Sequence, residues 1–258
     1  MGIFGKIFEK KECAICGGEI GLLGNRKLED GNMCKQCAQK LSPWFSDRKN
    51  STVAEIEEQL AYREENRKEV EAFHTTCTYG RNYKVLIDED AGKFMVTRAS
   101  NLQEANPDVI AFSQVTGCDL DITENRSEET REDKDGNSIS YNPPRYCYSY
   151  DFDMIIRVNH PYFDTIRFRL NAGDVEINHG KALIGNPNLR VEQEYKEYEE
   201  MGWETKEILL SARKQAREQR QAEASAQAAP KIKRQCPFCG AATVPDQNNC
   251  CEYCGAAL

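Results

Sequence analysis

In several segments between residues 83 and 177, apolar side chains recur at every second position, which is the period of a β-strand. The alternation is clear in the segments YKVLIDEDAGKFMVT, CDLDIT, DFDMIIRV and TIRFRL. We expect an antiparallel sheet of about seven strands, with one face buried and one face in water. The side chains predicted to face the core are Tyr83, Val85, Ile87, Phe94, Val96, Cys118, Leu120, Ile122, Phe152, Met154, Ile156, Val158, Ile166, Phe168, Leu170, Val175 and Ile177.

The alternation stops over residues 125–144, which are acidic and polar. The segment DKDGN within this stretch has some of the residues of a calcium loop. An EF-hand loop, however, needs Asp-x-Asp-x-Asp-Gly, and here Gly136 directly follows Asp135. We therefore interpret this segment as the turn of a β-hairpin.

Residues 52–73 change to helical spacing, and Thr52 and Glu55 have the spacing of a capping box. We expect one helix with a partly apolar stripe, in which the aliphatic stems of two arginines fill the gaps. Its members are Val53, Ile56, Leu60, Arg63, Arg67, Val70 and Phe73.

A second helical pattern follows Asn188, and Gly202 within it is expected to weaken the helix and to mark a kink. Beyond Ser211 the sequence becomes basic and poor in apolar residues, which is typical of an exposed extension or linker. The stripe of the second helix is Val191, Tyr195, Tyr198, Gly202, Thr205, Leu209 and Ala212, widened by Trp203 and Ile208.

The composition narrows the class of protein. The chain has 258 residues, of which 40% are hydrophobic and 29% are charged, and this composition is typical of a folded protein. Its net charge of −8 disfavours a general nucleic-acid binder. The sequence has no apolar run of membrane-spanning length, and we expect that its N-terminal segment is not a secretory signal. We therefore expect the reducing cytoplasm, where paired cysteines are more often metal ligands than disulfides.

The twelve cysteines include two quartets, each built from two C-x-x-C pairs. Each pair presents two thiolates from one tight turn, and zinc prefers four such ligands in a tetrahedron. The first quartet spans a hairpin with turn residues Asp30-Gly31-Asn32, and its second pair leads into AQKLSPWF, which is typical of the start of a helix. Its predicted ligands are Cys13, Cys16, Cys34 and Cys37.

The second quartet contains an ambiguity, because CCEYCG has three cysteines. Cys251 has C-x-x-C spacing with the last cysteine, whereas Cys250 does not, so we interpret Cys250 as a neighbouring thiol, with ligand replacement as the alternative. The predicted ligands are Cys236, Cys239, Cys251 and Cys254. We expect two structural zinc ions in all, although four thiolates also suit iron.

The remaining titratable residues give no catalytic constellation. Cys77, Cys118 and Cys147 are isolated, and Cys118 is expected in the core. The histidines are His74, His160 and His179, and His74 near Cys77 is more typical of a structural pair than of a nucleophile and base. We therefore predict that the protein is not an enzyme.

The segment CAICGGEIGLLGNRKLEDGNMCKQCAQKLSPWFS resembles a bacterial family known as domain of unknown function 4428. VIAFSQVTGCDLDI and the strands and helix after it resemble bacterial pleckstrin-homology-like domains, and CPFCG with CEYCG resembles small appended zinc ribbons. These resemblances imply a treble-clef-like finger, an antiparallel half-barrel with a C-terminal helix, and a ribbon. None of them implies a catalytic residue.

Together these features predict an α+β multidomain protein. The expected division is a zinc finger (1–46), a connecting helix (47–77), a β domain with its C-terminal helix (78–212), a basic helical linker (213–234) and a zinc ribbon (235–258).

The predicted function is a non-catalytic cytoplasmic scaffold with a protein partner. The alternative is a nucleic-acid-binding or transcription-associated protein that uses the ribbon and the basic linker. A further alternative is weak membrane association, with Ile3, Phe4, Ile7 and Phe8 in the interface and Lys6, Lys10 and Lys11 near anionic lipid. We favour packing of Phe4 and Phe8 on the first zinc module instead.

Overall fold

A computed structural model describes residues 11–177, 187–228, 233–246 and 249–258, with only the backbone at 177, 187–191 and 226–228. It contains helices and antiparallel sheets, which confirms the predicted α+β class. The chain divides into two compact units, Met1–Ala216 and Arg217–Leu258.

The first unit begins with a zinc-finger module in which short strands pair as two hairpins around a small core. The predicted turn at Asp30-Gly31-Asn32 joins the second hairpin, but the helix after it is a single turn. Pro43 would stop any longer helix at Leu41, because a proline disfavours helical geometry at the residue before it. The elements are β1 Lys11–Glu12, β2 Glu19–Ile20, β3 Asn25–Lys27, β4 Asn32–Cys34 and α1 Lys35–Ala38.

The connecting helix α2, Val53–Ala72, begins at the predicted capping box. Glu55 donates its backbone N–H to Thr52 Oγ1 at 3.3 Å, and its carboxylate accepts from the Thr52 N–H at 2.7 Å. Ile56, Arg63 and Val70 of the predicted stripe are buried, whereas Arg67 is exposed and Val53 and Leu60 are only half-buried. The buried residues are Ile56, Gln59, Arg63, Asn66 and Val70.

Two four-stranded antiparallel sheets replace the single sheet that we expected. The first contains β5 Cys77–Tyr79, β6 Lys84–Asp88, β7 Lys93–Thr97 and β8 Ile110–Ala111, with the short helix α3 Leu102–Ala105 before β8. Leu86 and Met95 are cross-strand partners that are buried on the face opposite Val85 and Ile87, so the expectation of one wet face is wrong here. An ion pair from Lys93 to Glu69 ties α2 to this sheet.

The second sheet is built on a long hairpin of β9 Val115–Glu132 and β10 Ser138–Val158. The predicted hairpin turn is confirmed, and Asp133 Oδ1 accepts from the Asn137 N–H at 2.8 Å within it. The strands nevertheless continue through most of residues 125–144, where we expected them to stop. The alternation is lost there because most of these side chains are exposed on both faces of the two-stranded arm.

The other edge of β10 pairs with β11 Thr165–Arg169 and β12 Val175–Ile177. The outer face of this sheet is a ladder of opposite charges, in which Arg157 pairs with Asp119, and Arg167 with Asp153. The predicted inward residues Cys118 and Phe152 lie in the core. The sheets and the last helix share a core formed by Val85, Ile87, Phe94, Val96, Ile110, Phe112, Val115, Cys118, Phe152, Met154, Ile156, Val158, Phe163, Ile166, Phe168, Leu170, Val175, Tyr198 and Leu209.

The long helix α4, Pro187–Ala228, buries Tyr198, Thr205 and Leu209 of the predicted stripe, while the side chain of Val191 lies outside the described residues. The helix continues through Gly202. A Cβ atom at Gly202 would lie 2.6 Å from Leu120 Cδ1, so close packing against β9 explains the glycine. Among the described residues, no helix has an apolar segment that is long enough to cross a lipid bilayer.

The second unit contains the C-terminal zinc ribbon. Its strands β13 Arg234–Gln235 and β14 Ala242–Thr243 form a short antiparallel hairpin, and an isolated bridge links Cys250 to Ala257. Such a small unit has little apolar surface to bury, so we expect metal binding to supply most of its folding free energy.

Candidate metal centres

The N-terminal centre is assembled by one tight turn and one hairpin. The Cys13 N–H donates to the Gly18 carbonyl at 2.9 Å, the Gly17 N–H donates to the Cys13 carbonyl at 2.8 Å, and Gly17 has a φ of +69°. This left-handed conformation favours glycine, which has no Cβ atom. The second hairpin supplies Cys34 at the end of β4, and the turn of helix α1 supplies Cys37.

The four sulfur atoms of this centre fit a tetrahedral zinc ion. All lie within 4.8 Å of one another, and Cys16 Sγ is 3.9 Å from Cys34 Sγ. Zinc–sulfur bonds of about 2.3 Å place two tetrahedral ligands about 3.8 Å apart. A disulfide, at about 2.05 Å, is far shorter. The geometry therefore agrees with a closed tetrathiolate centre.

Backbone hydrogen bonds favour the thiolate form of one ligand in each centre. Burial raises the pKa of Cys13, but donation from the N–H groups of Cys34 and Cys16 outweighs it and lowers the pKa to about 6. Burial and the other three thiols raise the pKa of Cys37. A dication can neutralise this crowding of thiolates, which explains why four cysteines are gathered around one point.

The C-terminal centre is built from two cysteine knuckles that share one backbone hydrogen bond pattern. The Gly240 N–H donates to the Cys236 carbonyl at 2.9 Å, and the Gly255 N–H donates to the Cys251 carbonyl at 2.8 Å. Both glycines have positive φ angles, +73° and +71°. The two knuckles bring Cys236 Sγ to 3.6 Å from Cys254 Sγ, and Cys239 Sγ to 3.7 Å from Cys251 Sγ.

In this centre, too, N–H donation lowers the pKa of one cysteine, and the neighbouring thiols raise the pKa of another. The Cys239 N–H donates to Cys236 and is the main cause that lowers the Cys236 pKa to about 7. The Ala256 N–H lowers the pKa of Cys254, but burial and the three neighbouring thiols outweigh it and raise the pKa to about 12.

The structure resolves the choice between the adjacent cysteines of CCEYCG. Cys251 belongs to the tetrahedral group, whereas Cys250 lies outside it and donates its backbone N–H to Asp246 Oδ1 at 2.7 Å. The two predicted ligand sets therefore come together as two tetracysteine groups that are positioned to bind two zinc ions.

The other candidate residues are dispersed. Cys118 is buried in the sheet core as predicted, and Cys147 Sγ donates to Glu129 Oε1 at 3.2 Å. His160 Nε2 is 3.0 Å from the Tyr62 hydroxyl, and the His160 ring stacks on Phe163. His179 lies outside the described residues.

A buried polar network beside the finger was missed by the sequence reasoning. Arg63 Nη1 donates to Asp108 Oδ1 at 2.7 Å, and Ser42 Oγ donates to Asp108 Oδ2 at 2.8 Å. Asn66 joins the same network, since its Oδ1 accepts from the Val109 N–H at 3.0 Å. Helical spacing of Gln59, Arg63 and Asn66 on one face of α2 was the available signal.

Comparison with known families supports the N-terminal module. Residues 11–59 match the model of a family described as a domain of unknown function (DUF4428), which confirms the resemblance. The match covers the first centre and the start of α2. No curated protein and no solved structure matches the chain.

Proposed function

We propose that this protein is a non-catalytic, zinc-binding interaction protein of the reducing cytoplasm, and that it binds a protein partner through its C-terminal ribbon. The observation that carries the proposal is the exposure of two aromatic side chains on the metal-binding knuckles. Phe238 is 76% exposed and Tyr253 is 73% exposed.

The positions of these aromatic residues are equivalent. Each directly precedes the second cysteine of its C-x-x-C pair, and those cysteines belong to the same metal centre. A bound metal holds both knuckles rigidly, so the aromatic residues lose little freedom when they bind a partner. Aromatic side chains are enriched among the residues that carry most of the binding energy in protein interfaces.

The composition of the two centres supports a non-catalytic role. A catalytic zinc ion keeps one coordination position open for water or substrate, whereas four cysteines close the coordination sphere. His160 packs against Tyr62 and Phe163, which is a structural environment.

A nucleic-acid partner is the second candidate, and it rests on the same aromatic residues. Phe238 and Tyr253 have the exposure needed to stack on bases, and Arg234 is an exposed cation on the neighbouring strand β13. The net charge of −8 opposes a strong general affinity for phosphates, so we favour the protein partner.

The test is affinity purification of the full-length chain from its own host, with and without nuclease and at low and high salt. The informative variant combines Phe238→Ser with Tyr253→Ser. Its matched control combines Leu22→Ser with Leu23→Ser, which also removes two exposed apolar side chains but leaves the ribbon unchanged. Both variants must retain two zinc ions per chain.

A defined protein that survives nuclease, is captured by the control and is lost with the ribbon variant would support the proposal. Reconstitution of that complex from purified components would establish a direct contact. Co-purifying nucleic acid that leaves with salt, together with loss of every protein after nuclease, would favour the second candidate instead.

A further inference from the structure

The zinc finger carries an apolar tip that contributes nothing to its core. Leu22 and Leu23 are the central residues of the turn between β2 and β3, which is closed by the Gly24 N–H and the Gly21 carbonyl at 2.9 Å. They are 80% and 92% exposed. Central turn positions usually hold small or polar residues, so two adjacent exposed leucines indicate a surface that becomes covered in another state.

A basic cleft lies beside this tip, with a volume of about 310 Å³. Its lining includes no carboxylate, and its polar side chains suit an anionic group. These are Arg26, Lys35, Gln39, Ser46 and Arg48, whereas the Ser42 hydroxyl that also lines the cleft already donates to Asp108.

Arg26 links the tip and the cleft. Its Nη1 donates to the Leu23 carbonyl at 3.3 Å and to the Asn25 carbonyl at 3.1 Å, while the same side chain lines the cleft. Anion binding in the cleft and insertion of the tip would therefore occur at one continuous surface.

The cations of the cleft differ from those on the β-sheet in their pairing with carboxylates. On the sheet, Arg157 and Arg167 pair with aspartates, whereas no described carboxylate forms an ion pair with Arg26, Lys35 or Arg48. Burial lowers the pKa of Arg48, and the nearby Arg26 charge lowers it further. An anion between the two guanidinium groups would relieve this repulsion.

Two carboxylates that lie close to these cations in the sequence accept hydrogen bonds from residues outside the cleft lining. Asp30 Oδ1 accepts from the Val53 N–H at the start of α2 at 2.8 Å, and Asp47 Oδ1 accepts from Asn50 Nδ2 at 2.6 Å. Neither carboxylate lines the cleft.

We propose that the zinc finger docks on an anionic lipid bilayer, with Leu22 and Leu23 inserted into the interface and the basic cleft holding a headgroup phosphate. Apolar insertion combined with basic residues is the combination that gives stable binding at a membrane surface. A nucleic acid offers phosphates, but it gives two adjacent exposed leucines no apolar phase to enter. Of the residues on which the sequence placed its membrane alternative, Lys11 is described and pairs with Ile20, whereas the others lie outside the described residues.

The test is flotation of the full-length, zinc-loaded chain with vesicles of phosphatidylcholine alone or mixed with phosphatidylglycerol. We expect binding to the anionic vesicles that is at least about tenfold tighter than to the neutral ones. Leu22→Ser with Leu23→Ser should weaken it at least about tenfold, since each leucine loses its transfer into the interface. Arg26→Gln with Arg48→Gln should weaken it by a similar factor and reduce its dependence on salt.

Two controls isolate the surface. Arg67→Gln with Lys68→Gln removes the same number of charges from the exposed face of α2, and Phe238→Ser with Tyr253→Ser removes exposed aromatic residues from the ribbon. Neither should change flotation. The ribbon control also separates this proposal from the proposed function. Membrane binding should be lost in the leucine variant, whereas capture of the protein partner should be lost in the ribbon variant. Zinc content and circular dichroism verify that every variant is folded.

A second measurement locates the tip directly. The tryptophan fluorescence of the Leu22→Trp variant should shift to shorter wavelength on anionic vesicles. This shift should exceed any change in the parent chain, which contains Trp44 and Trp203.

Absence of vesicle binding, or equal binding by the parent and the leucine variant, overturns the proposal. Binding of glycerol phosphate or of a DNA fragment in the cleft without flotation would likewise overturn it and assign the cleft to a soluble anion or to nucleic acid.

Discussion

Arg63 and Asp108 form a buried ion pair with a separation of 2.7 Å and side-chain exposures of 6% and 0%. Arg63 lies on α2, and Asp108 lies between α3 and β8. Ser42 of the finger donates to the same carboxylate, and the Lys40 carbonyl accepts from Arg63 Nε at 3.2 Å. This network holds the finger, the connecting helix and the first sheet together within the first compact unit.

Loss of one partner of this pair should be strongly destabilising. Arg63→Met leaves the Asp108 carboxylate buried without its counterion, and we expect the free energy of unfolding to fall by about 3–5 kcal/mol. Asp108→Asn should have a similar effect, and the double variant should lose less than the sum of the two. Urea denaturation of the zinc-loaded protein, followed by circular dichroism, measures all three.

Arg67→Met is the matched control, because Arg67 pairs with Glu64 on the exposed face of the same helix. Its effect should stay within about 1 kcal/mol. Equal losses for the Arg63 and Arg67 variants would contradict the structural role of the buried pair.

The two metal centres should be separable by mutation. The purified chain should hold two zinc ions, and Cys13→Ser or Cys251→Ser should each remove one of them, as measured by elemental analysis. Cobalt substitution should give the absorption bands of a tetrahedral tetrathiolate centre. We expect zinc to supply most of the folding free energy of the ribbon, so Cys251→Ser should also abolish amide protection within residues 233–258.

Cys250→Ser provides the control for its neighbour. Cys250 lies outside the tetrahedral group, so the variant should keep both zinc ions and the cobalt spectrum. Loss of one zinc ion from Cys250→Ser but not from Cys251→Ser would reverse our ligand assignment.

Gly202→Ala should destabilise the protein although alanine usually favours a helix. The added Cβ atom would meet Leu120, and such overpacking costs about 1–3 kcal/mol, which outweighs a helix-propensity gain of about 1 kcal/mol. The double variant Gly202→Ala with Leu120→Ala should lose less stability than the sum of the losses of the two single variants. Thermal unfolding would contradict this close approach if Gly202→Ala alone raised the melting temperature.

His160 should make the stability of the protein depend on pH. Burial lowers its pKa in the folded state, so as the pH falls below about 6.5 the unfolded chain takes up a proton that the folded chain resists. The contribution of His160 to stability is therefore present above that pH and is lost progressively below it. Urea denaturation between about pH 7.5 and 5.5 should show a shallower decline for His160→Gln than for the parent chain.

The same comparison for His74→Gln controls for the removal of a histidine, because His74 is exposed. Parallel declines for the parent and His160→Gln would contradict the assignment of this pH dependence to His160.

The sequence by itself determined the features that depend on neighbouring residues. Both metal ligand sets, including the choice of Cys251, follow from C-x-x-C spacing, since one tight turn presents both thiols of a pair. The capping box of Thr52 and the core positions of Cys118 and Phe152 follow from the local periods of helix and strand.

Only the tertiary structure decided which polar residues became buried and which apolar residues stayed exposed. Arg63 finds Asp108 at a distance of 45 residues along the chain, and Leu86 is buried on the face predicted to be wet. Leu22 and Leu23, by contrast, are apolar but remain exposed, because no other described segment of the first unit packs over them. The physical reason is that periodicity specifies the face of an element on which a side chain lies, whereas the packing of distant segments decides what covers that face.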